Sequence, residues 1–475
     1  MSRRADNLNR RSSAPVLRVL GAAETVTGSR FLLDTPTARV LFDCGLFQGL
    51  KALRLRNWQD FAVDPSSIDA VVLSHAHLDH SGYVPALVRN GFRGAIHATP
   101  TTSELCGIVL PDSGHVQEED AAYANRKGYS KHTPALPLYT EDDAHRALKQ
   151  LVQLPFGVAS EVAKNVQVTF HPAGHILGSA ITEVILDGAV GRKIVFSGDL
   201  GRPHHPILRP PAKCPTSDIV LVESTYGDRE HEDVASIERF RDAILRTAQR
   251  GGMVVIPSFA VDRTEVVLFH LRRLMLEGLA PKLPVFVDSP MALATLQVYR
   301  NATKYGSSEI NPALQNDDDP FDPGTLIEAR RVEESMAINE QDGPGIIISA
   351  SGMATGGRVL HHLMRRLTEP RNTVMLVGFQ AEGTRGRALL DGARNLKLLG
   401  RYVAVRAEIV DVPAFSVHAD RSEIIDWLRG APRPPEVALV IHGEPKASRS
   451  LRDTIDQELG WNAAVPRYLE QVRLD

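Results

Sequence analysis

The apolar run Asp69-Ala70-Val71-Val72-Leu73-Ser74 leads straight into His75-Ala76-His77-Leu78-Asp79-His80. Such a run reads as a buried strand, and the turn-like segment behind it must sit at the strand's end. Three imidazoles and a carboxylate crowd into those six residues. Nitrogen and oxygen donors gathered this closely suit a zinc ion. Residues two apart on an extended loop point to one side, so His75 and His77 can share an ion. Asp79 and His80, past the bend, can face a second. An isolated HxH is a weak signal. HxHxDH directly after an apolar strand is a strong one, and a histidine-rich turn arising by chance explains it poorly. The segment reads as half of a two-metal site in a metal-dependent hydrolase.

One loop cannot complete two sites, so further ligands must come from other strand ends. His175 lies in Ala173-Gly-His-Ile-Leu-Gly178, Asp199 in Ser197-Gly-Asp-Leu-Gly201 and Asp43 in Leu41-Phe-Asp-Cys-Gly45. Each alone could be a turn or capping residue. Together, at strand ends beside glycines, they form a candidate ligand set. Asp199 could bridge both ions, and Asp43 could hydrogen-bond a ligand or its water. Two ions about 3.5–4 Å apart suit displacement at phosphorus or a carbonyl, because they lower the pKa of a shared water and neutralise charge on the attacked group. A histidine outside the metal shell would then protonate the leaving oxygen.

The chain has 475 residues, too many for one simple core, so two domains are expected. Up to about residue 200 it is strand-rich, with strands read at 16–22, 39–43, 94–98, 166–170, 180–186 and 193–197. A helix is read at 83–90, and 101–163 reads as mainly helical. Two facing sheets flanked by helices satisfy that pattern. After 203–211 the texture changes to strand-then-helix units that begin at DIVLVES, MVVIPS, PVFVDS, GIIISAS and TVMLVGF. This alternation argues for a parallel sheet with crossover helices. An acidic, proline-containing loop interrupts it within 306–325. Strand-rich character returns near 403–412.

No apolar run approaches 18 residues, so no membrane-spanning helix is expected. The first fourteen residues are basic and polar, without the apolar stretch of a secretory signal, and read as a flexible tail. Cys44, Cys106 and Cys214 form no CxxC pair, which argues against a disulfide framework and fits a reducing cytoplasm. A net charge of −3 offers no global attraction for nucleic acid, so a polyanion site would have to be a local basic patch.

The His75-x-His77-x-Asp79-His80, His175, Asp199 and Asp43 motifs resemble the metallo-β-lactamase superfamily. The segments 223–229 (ESTYGDR), 415–420 (FSVHAD) and 440–444 (VIHGE) look like motifs A, B and C of its β-CASP nucleases. SFAVDR, DSPMA, SASGMATGGR and GFQAEGTRGR resemble the same branch, and the likeness runs from about residue 16 to 475. It implies an α/β fold: a metallo-β-lactamase αβ/βα sandwich with an inserted β-CASP domain, a parallel sheet flanked by helices. The expected layout is a tail at 1–15, the first part of the sandwich at 16–213, the insert at 214–404 and the second part at 405–475.

By the same resemblance two Zn2+ bind per chain. His75, His77 and His175 hold the first, Asp79, His80 and His442 the second, and Asp199 bridges. Glu223 orients His418, the general acid of a two-metal hydroxide mechanism. Histidine rather than valine at 442 is similar to the RNA-processing members. The resemblance therefore implies a cytoplasmic ribonuclease acting on single-stranded RNA, as endonuclease, 5′-exonuclease or both, with a homodimer the candidate assembly. The expected form is a compact two-domain core. It lacks the extra C-terminal domain of RNase J enzymes and the N-terminal KH-type domain of archaeal relatives. It is similar to small bacterial β-CASP ribonucleases and the catalytic subunit of the mRNA 3′-end cleavage factor.

Arg263, Arg358, Arg385 and Arg387 lie near glycine-rich turns and are candidates to grip RNA phosphates, as is the backbone at Ser351-Gly352. Ordinary surface charges are the alternative for each. Phosphate contacts carry no sequence reading, so weak sequence preference is expected. The remaining histidines have no partner at metal spacing and read as structural or solvent-facing. Two other functions compete: a hydrolase of a small thioester or lactone, using the same metals, and a non-catalytic RNA-binding subunit.

Overall fold

The computed structural model describes residues 11–128, 130, 132–187, 191–315 and 317–474. Residues 1–10 of the expected tail lie outside the described residues. Arg11 is held in place by an ion pair with Asp69 at 3.0 Å. The chain forms two compact units. The first comprises residues up to His205, Pro210–Glu230 and His418 onward, and the second Pro206–Arg209 and His231–Val417.

Two seven-stranded sheets make the first unit. One runs in the order Gln471–Arg473, Val16–Val19, Phe31–Asp34, Arg39–Phe42, Ala70–Val72, Ala95–Ala98, Leu151–Gln153. The other runs Ala463–Ala464, Val437–Ile441, Ile219–Glu223, Lys193–Phe196, Ala180–Leu186, Val166–Pro172, Ser160–Ala163. Their inner faces meet in one apolar core, where Leu17, Phe31, Val40 and Val72 face Phe170, Ile194, Leu221 and Ile441. Phe42 and Phe196 stack across it with ring centroids 4.3 Å apart. The strand Ile219–Glu223 shows why such runs do not alternate with polar residues. Ile219 and Leu221 enter the inter-sheet core, while Val220 and Val222 face outward onto Ile424, Leu428, Leu451 and Ile455 of the helices Arg421–Arg429 and Pro445–Leu459. A strand buried on both faces must be apolar throughout. The helix Pro100–Lys127 packs on Glu141–Leu148 beside the edge strand Leu151–Gln153.

The second unit holds a six-stranded sheet whose pairings are all parallel. Its order is Leu326–Glu328, Val285–Val287, Gly345–Ser349, Met253–Pro257, Thr373–Leu376, Glu408–Asp411. Helices such as Asp233–Gln249, Arg263–Leu276 and Val359–Arg366 connect the strands, as the strand–helix alternation predicts.

The strand–helix texture does not reveal which sheet a strand joins. Ile219–Glu223, which reads as the first strand of the insert, pairs in parallel with Lys193–Phe196 and Val437–Ile441 in the first unit. Glu408–Asp411, expected after the insert, pairs with Thr373–Leu376 inside it. The second unit therefore runs later along the chain, to Val417, than 214–404 anticipates.

Glu265, in the first turn of Arg263–Leu276, is fully buried. Burial, reinforced by Asp262, pushes its carboxyl well above the usual range. Above about pH 4.3 the unfolded chain releases this proton while the folded chain keeps it, so Glu265 progressively costs stability as pH rises toward its own folded pKa. Glu265→Gln removes that cost. Its melting temperature relative to wild type should rise between pH 5 and pH 8 in paired thermal scans.

Among the described residues no helix is long and apolar enough to cross a membrane.

Candidate metal centre

Three neighbouring parallel strands of the second sheet deliver site residues at their C-terminal ends. Asp199 follows Lys193–Phe196, Glu223 ends Ile219–Glu223, and His442 follows Val437–Ile441. In the first sheet the parallel strands Arg39–Phe42 and Ala70–Val72 do the same with Asp43 and His75. The carboxyl ends of parallel strands are where α/β sheets habitually bind ligands. His175 comes from the connection between Val166–Pro172 and Ala180–Leu186. Asp79 and His80 occupy the short helix Leu78–Ser81. His418 is tied to Gly201 by an isolated β-bridge.

Close backbone approach makes this convergence feasible. A Cβ on Gly45 would lie 1.6 Å from the Asp79 carbonyl oxygen, and one on Gly201 would lie 1.9 Å from that of Gly174. Only glycine fits either position. Asp43 and His442 hold positive φ values of 56° and 50°, a conformation that a non-glycine residue adopts at some cost.

The side chains form two groups that share Asp199. In the first, His77 Nδ1 lies 3.1 Å from His75 Nε2 and 3.3 Å from His175 Nε2. Asp199 Oδ2 is 3.5 Å from His75 Nε2 and 3.6 Å from His175 Nε2. In the second, His80 Nε2 is 3.2 Å from His442 Nε2, and Asp79 Oδ2 is 3.5 Å from that same nitrogen. Asp199 Oδ1 sits 3.3 Å from His80 Nε2 and 3.2 Å from His442 Nδ1. Asp199 thus turns one oxygen toward each group. Ligands placed tetrahedrally at zinc distances stand about 3.3 Å apart. Asp199 Oδ1 is buried and, despite its close nitrogens, makes no well-aligned hydrogen bond. Nitrogen and oxygen atoms that crowd a common point, among them a buried carboxylate oxygen with no aligned hydrogen bond, fit a cation held between them.

Burial, then the neighbouring His80, holds His75 well below the usual imidazole range, and burial lowers His77 as well. Both are neutral near pH 7 and present lone pairs. Burial opposes charge on Asp199, but His442, His80 and His418 outweigh it and hold the carboxyl well below its usual range. Asp199 is therefore ionised.

Asp43 fixes His80 from behind, with Oδ2 2.7 Å from His80 Nδ1. Its carboxylate also accepts from Ser29 Oγ at 2.9 Å, from the Ser74 amide at 2.8 Å and from Ser74 Oγ at 3.1 Å. His418 Nδ1 lies 3.0 Å from Glu223 Oε1. Glu223 is itself set by the amides of Leu200 and Thr225, at 2.9 and 3.1 Å. The His418 side chain keeps 14% exposure against 0% for Glu223, so it stands at the solvent edge of the cluster.

Motif reading misses Ser29, Ser74 and Thr225, whose hydroxyl lies 3.3 Å from His442 Nδ1. Ser74 and Thr225 flank motif residues and could be suspected. Ser29 reaches Asp43 only through strand pairing, so the local sequence carries no sign of it.

Each of the four arginines is engaged by partners within the second unit. Arg263 is buried and donates to the Val377 carbonyl at 3.0 Å. Arg358 pairs with Asp288 at 2.7 Å and donates to the carbonyls of Ala329 and Arg330. Arg385 donates to the carbonyls of Ala354, Thr355 and Lys397. Arg387 pairs with Asp391, one helical turn on, at 2.9 Å. Ser351 Oγ lies 2.9 Å from Thr355 Oγ1, and Gly352 accepts from Gln380 through its carbonyl. These bonds brace the loops of the second unit.

Three family models match the chain. The metallo-beta-lactamase superfamily covers 26–142, the Beta-Casp domain 264–389, and the Zn-dependent metallo-hydrolase RNA specificity domain 402–466. Ribonuclease TTHA0252 of Thermus thermophilus is 38% identical over 429 residues, covering 89% of this chain and 92% of that protein. The chain belongs to the β-CASP family of the metallo-β-lactamase superfamily. It is a metal-dependent hydrolase, and the converging histidines and aspartates are its candidate metal ligands. The transcription termination factor FttA of Methanosarcina mazei is 30% identical over 470 residues, covering 96% of this chain and 71% of that protein. A crystal structure of a protein of unknown function from Enterococcus faecalis V583 shares the fold. Its TM-score is 0.51 at 14% identity, with 97% of this chain and 100% of that one covered.

Proposed function

We propose that this β-CASP hydrolase is a zinc-dependent ribonuclease that cleaves phosphodiester bonds of single-stranded RNA. The observation that carries the reading is Asp199. Its two oxygens face two separate donor groups, and a histidine braced by Glu223 stands beside them. His75, His77 and His175 would hold one Zn2+, Asp79, His80 and His442 the other, with Asp199 between. When bound, such a pair supplies Lewis acidity and lowers the pKa of water at the site. His418 donates a proton to the departing ribose oxygen, while Glu223 fixes the ring through Nδ1 and stabilises its charged form. The 38% identity to a ribonuclease over nearly the whole chain supports RNA as substrate, as does the RNA specificity domain at 402–466. Three buried free cysteines fit a reducing cytoplasm.

Cleavage of end-labelled single-stranded RNA, with and without chelator, tests the reading, and circular RNA separates endonuclease from 5′-exonuclease action. Chelator-sensitive cleavage supports it. Turnover of a small thioester or lactone with intact RNA would replace it with the small-molecule hydrolase. Intact RNA and no bound zinc would favour a binding subunit.

Asp43 carries a separate expectation. By accepting from His80 Nδ1 it commits Nε2 to the ion. Asp43→Asn, which tolerates the positive φ, should weaken metal affinity by about 10–100-fold in a competition against a chromophoric chelator.

A further inference from the structure

Beside the metal loop, residues 51–58 form one helical turn continued by a 3-10 turn, Lys51–Arg54 and Leu55–Trp58. Lys51, Arg54, Leu55 and Trp58 recur at i, i+3, i+4 and i+7, the spacing of a single helical face. All four are exposed, Leu55 at 50% and Trp58 at 58%. Among the described residues neither Lys51 nor Arg54 makes an ion pair, so these cations neutralise nothing in the fold. No acidic residue occurs from Leu46 to Gln59.

The opposite side of the segment is anchored. Asn57 is buried and clamps Phe47, accepting from its amide at 3.0 Å and donating to its carbonyl at 2.8 Å. Arg56 lies over the Tyr468 ring at 3.9 Å. This clamp leads directly to the metal loop. Leu46, next to Phe47, donates its amide to the Leu78 carbonyl, and Cys44 donates to that of His80. An exposed tryptophan with two unpaired cations on the same segment is thus tied to the backbone that carries Asp79 and His80.

We propose that this face is a single-strand RNA platform, on which a base stacks against Trp58 while Lys51 and Arg54 meet the adjoining phosphates. The proposal rests on the ribonuclease reading and names where its substrate lies beyond the reacting bond. An aromatic face with neighbouring cations suits single strands, because unpaired bases expose their π-faces and duplexed bases do not. Apolar exposure alone would fit a protein partner equally well. The unpaired positive charges favour a polyanion.

The test uses the full-length zinc-loaded enzyme with a 20-nucleotide polyuridine. Trp58→Ala should raise KM about ten-fold or more, with kcat little changed. Trp58→Phe should restore most of the loss. Lys51→Ala combined with Arg54→Ala should raise KM and flatten its salt dependence, by about 0.7 in the log–log slope for each phosphate no longer neutralised. Hydrolysis of bis(p-nitrophenyl) phosphate, too small to span the platform, should be unchanged in every variant. Wild-type cleavage with unaltered KM in all variants would overturn the platform and leave the ribonuclease reading intact. A change in solution mass caused by Trp58→Ala, with KM unaltered, would reassign the face to a protein interface and also overturn it. Wild type that neither binds nor cleaves the RNA would overturn the ribonuclease reading, and the platform with it.

Discussion

Asp199→Ala is expected to abolish RNA cleavage, lowering kcat/KM by more than about 10^4-fold, beyond the 10²–10⁴ that a general acid contributes. Among the described residues Asp199 reaches toward both donor groups, with Oδ2 toward His75 and His175 and Oδ1 toward His80 and His442. Its loss removes a negative charge from a buried cluster of imidazoles. Each group would then keep three candidate ligands; the three-histidine group would have no carboxylate to offset a cation, and the other would have Asp79 alone. Zinc content measured on the same preparation should fall with activity. Asp199→Asn should be nearly as inactive, since an amide keeps the shape and loses the charge. The fold should survive either change, because Asp199 stands outside the apolar cores.

His418→Ala should behave differently. Its Nδ1 lies 3.0 Å from Glu223 Oε1 and farther, 3.9 Å, from Asp199 Oδ2, so the variant should bind zinc like wild type while kcat falls by about 10²–10⁴-fold. The loss belongs to protonation of the leaving oxygen. A substrate whose leaving group needs no proton, such as p-nitrophenolate, should therefore recover most of the rate. Glu223→Gln should show a smaller loss, about 10–100-fold, because the amide holds the ring less well and no longer stabilises its charge. Equal loss on both substrates would show instead that His418 acts on something common to both, such as placement of the attacked phosphate.

The candidate metal centre is legible in the sequence because ligands must be specific residue types at strand ends. His75, His77, Asp79 and His80 sit within six residues, and each partner follows an apolar run that folding turns into a strand. The interior of the second unit is equally legible, since alternating strands and helices leave few options besides a parallel sheet. Sheet membership is less visible. Ile219–Glu223 and Glu408–Asp411 both read as strands, and only their pairing shows that the first completes the sandwich and the second extends the insert. Hydrogen bonds made across the fold are hidden too. Ser29 reaches Asp43 over fourteen residues, and the carbonyls that engage Arg358 and Arg385, those of Ala329 and Lys397, come from 29 and 12 residues away. Arginine beside glycine-rich turns suggests phosphate binding, but a guanidinium has five donors, and loop carbonyls here compete for them.

The most direct measurement is a zinc titration of chelator-stripped enzyme, following bound metal and cleavage of single-stranded RNA together. Two equivalents bound per chain, with cleavage appearing as the second binds, is the predicted result. Full cleavage with one equivalent or none would contradict a two-ion centre shared through Asp199.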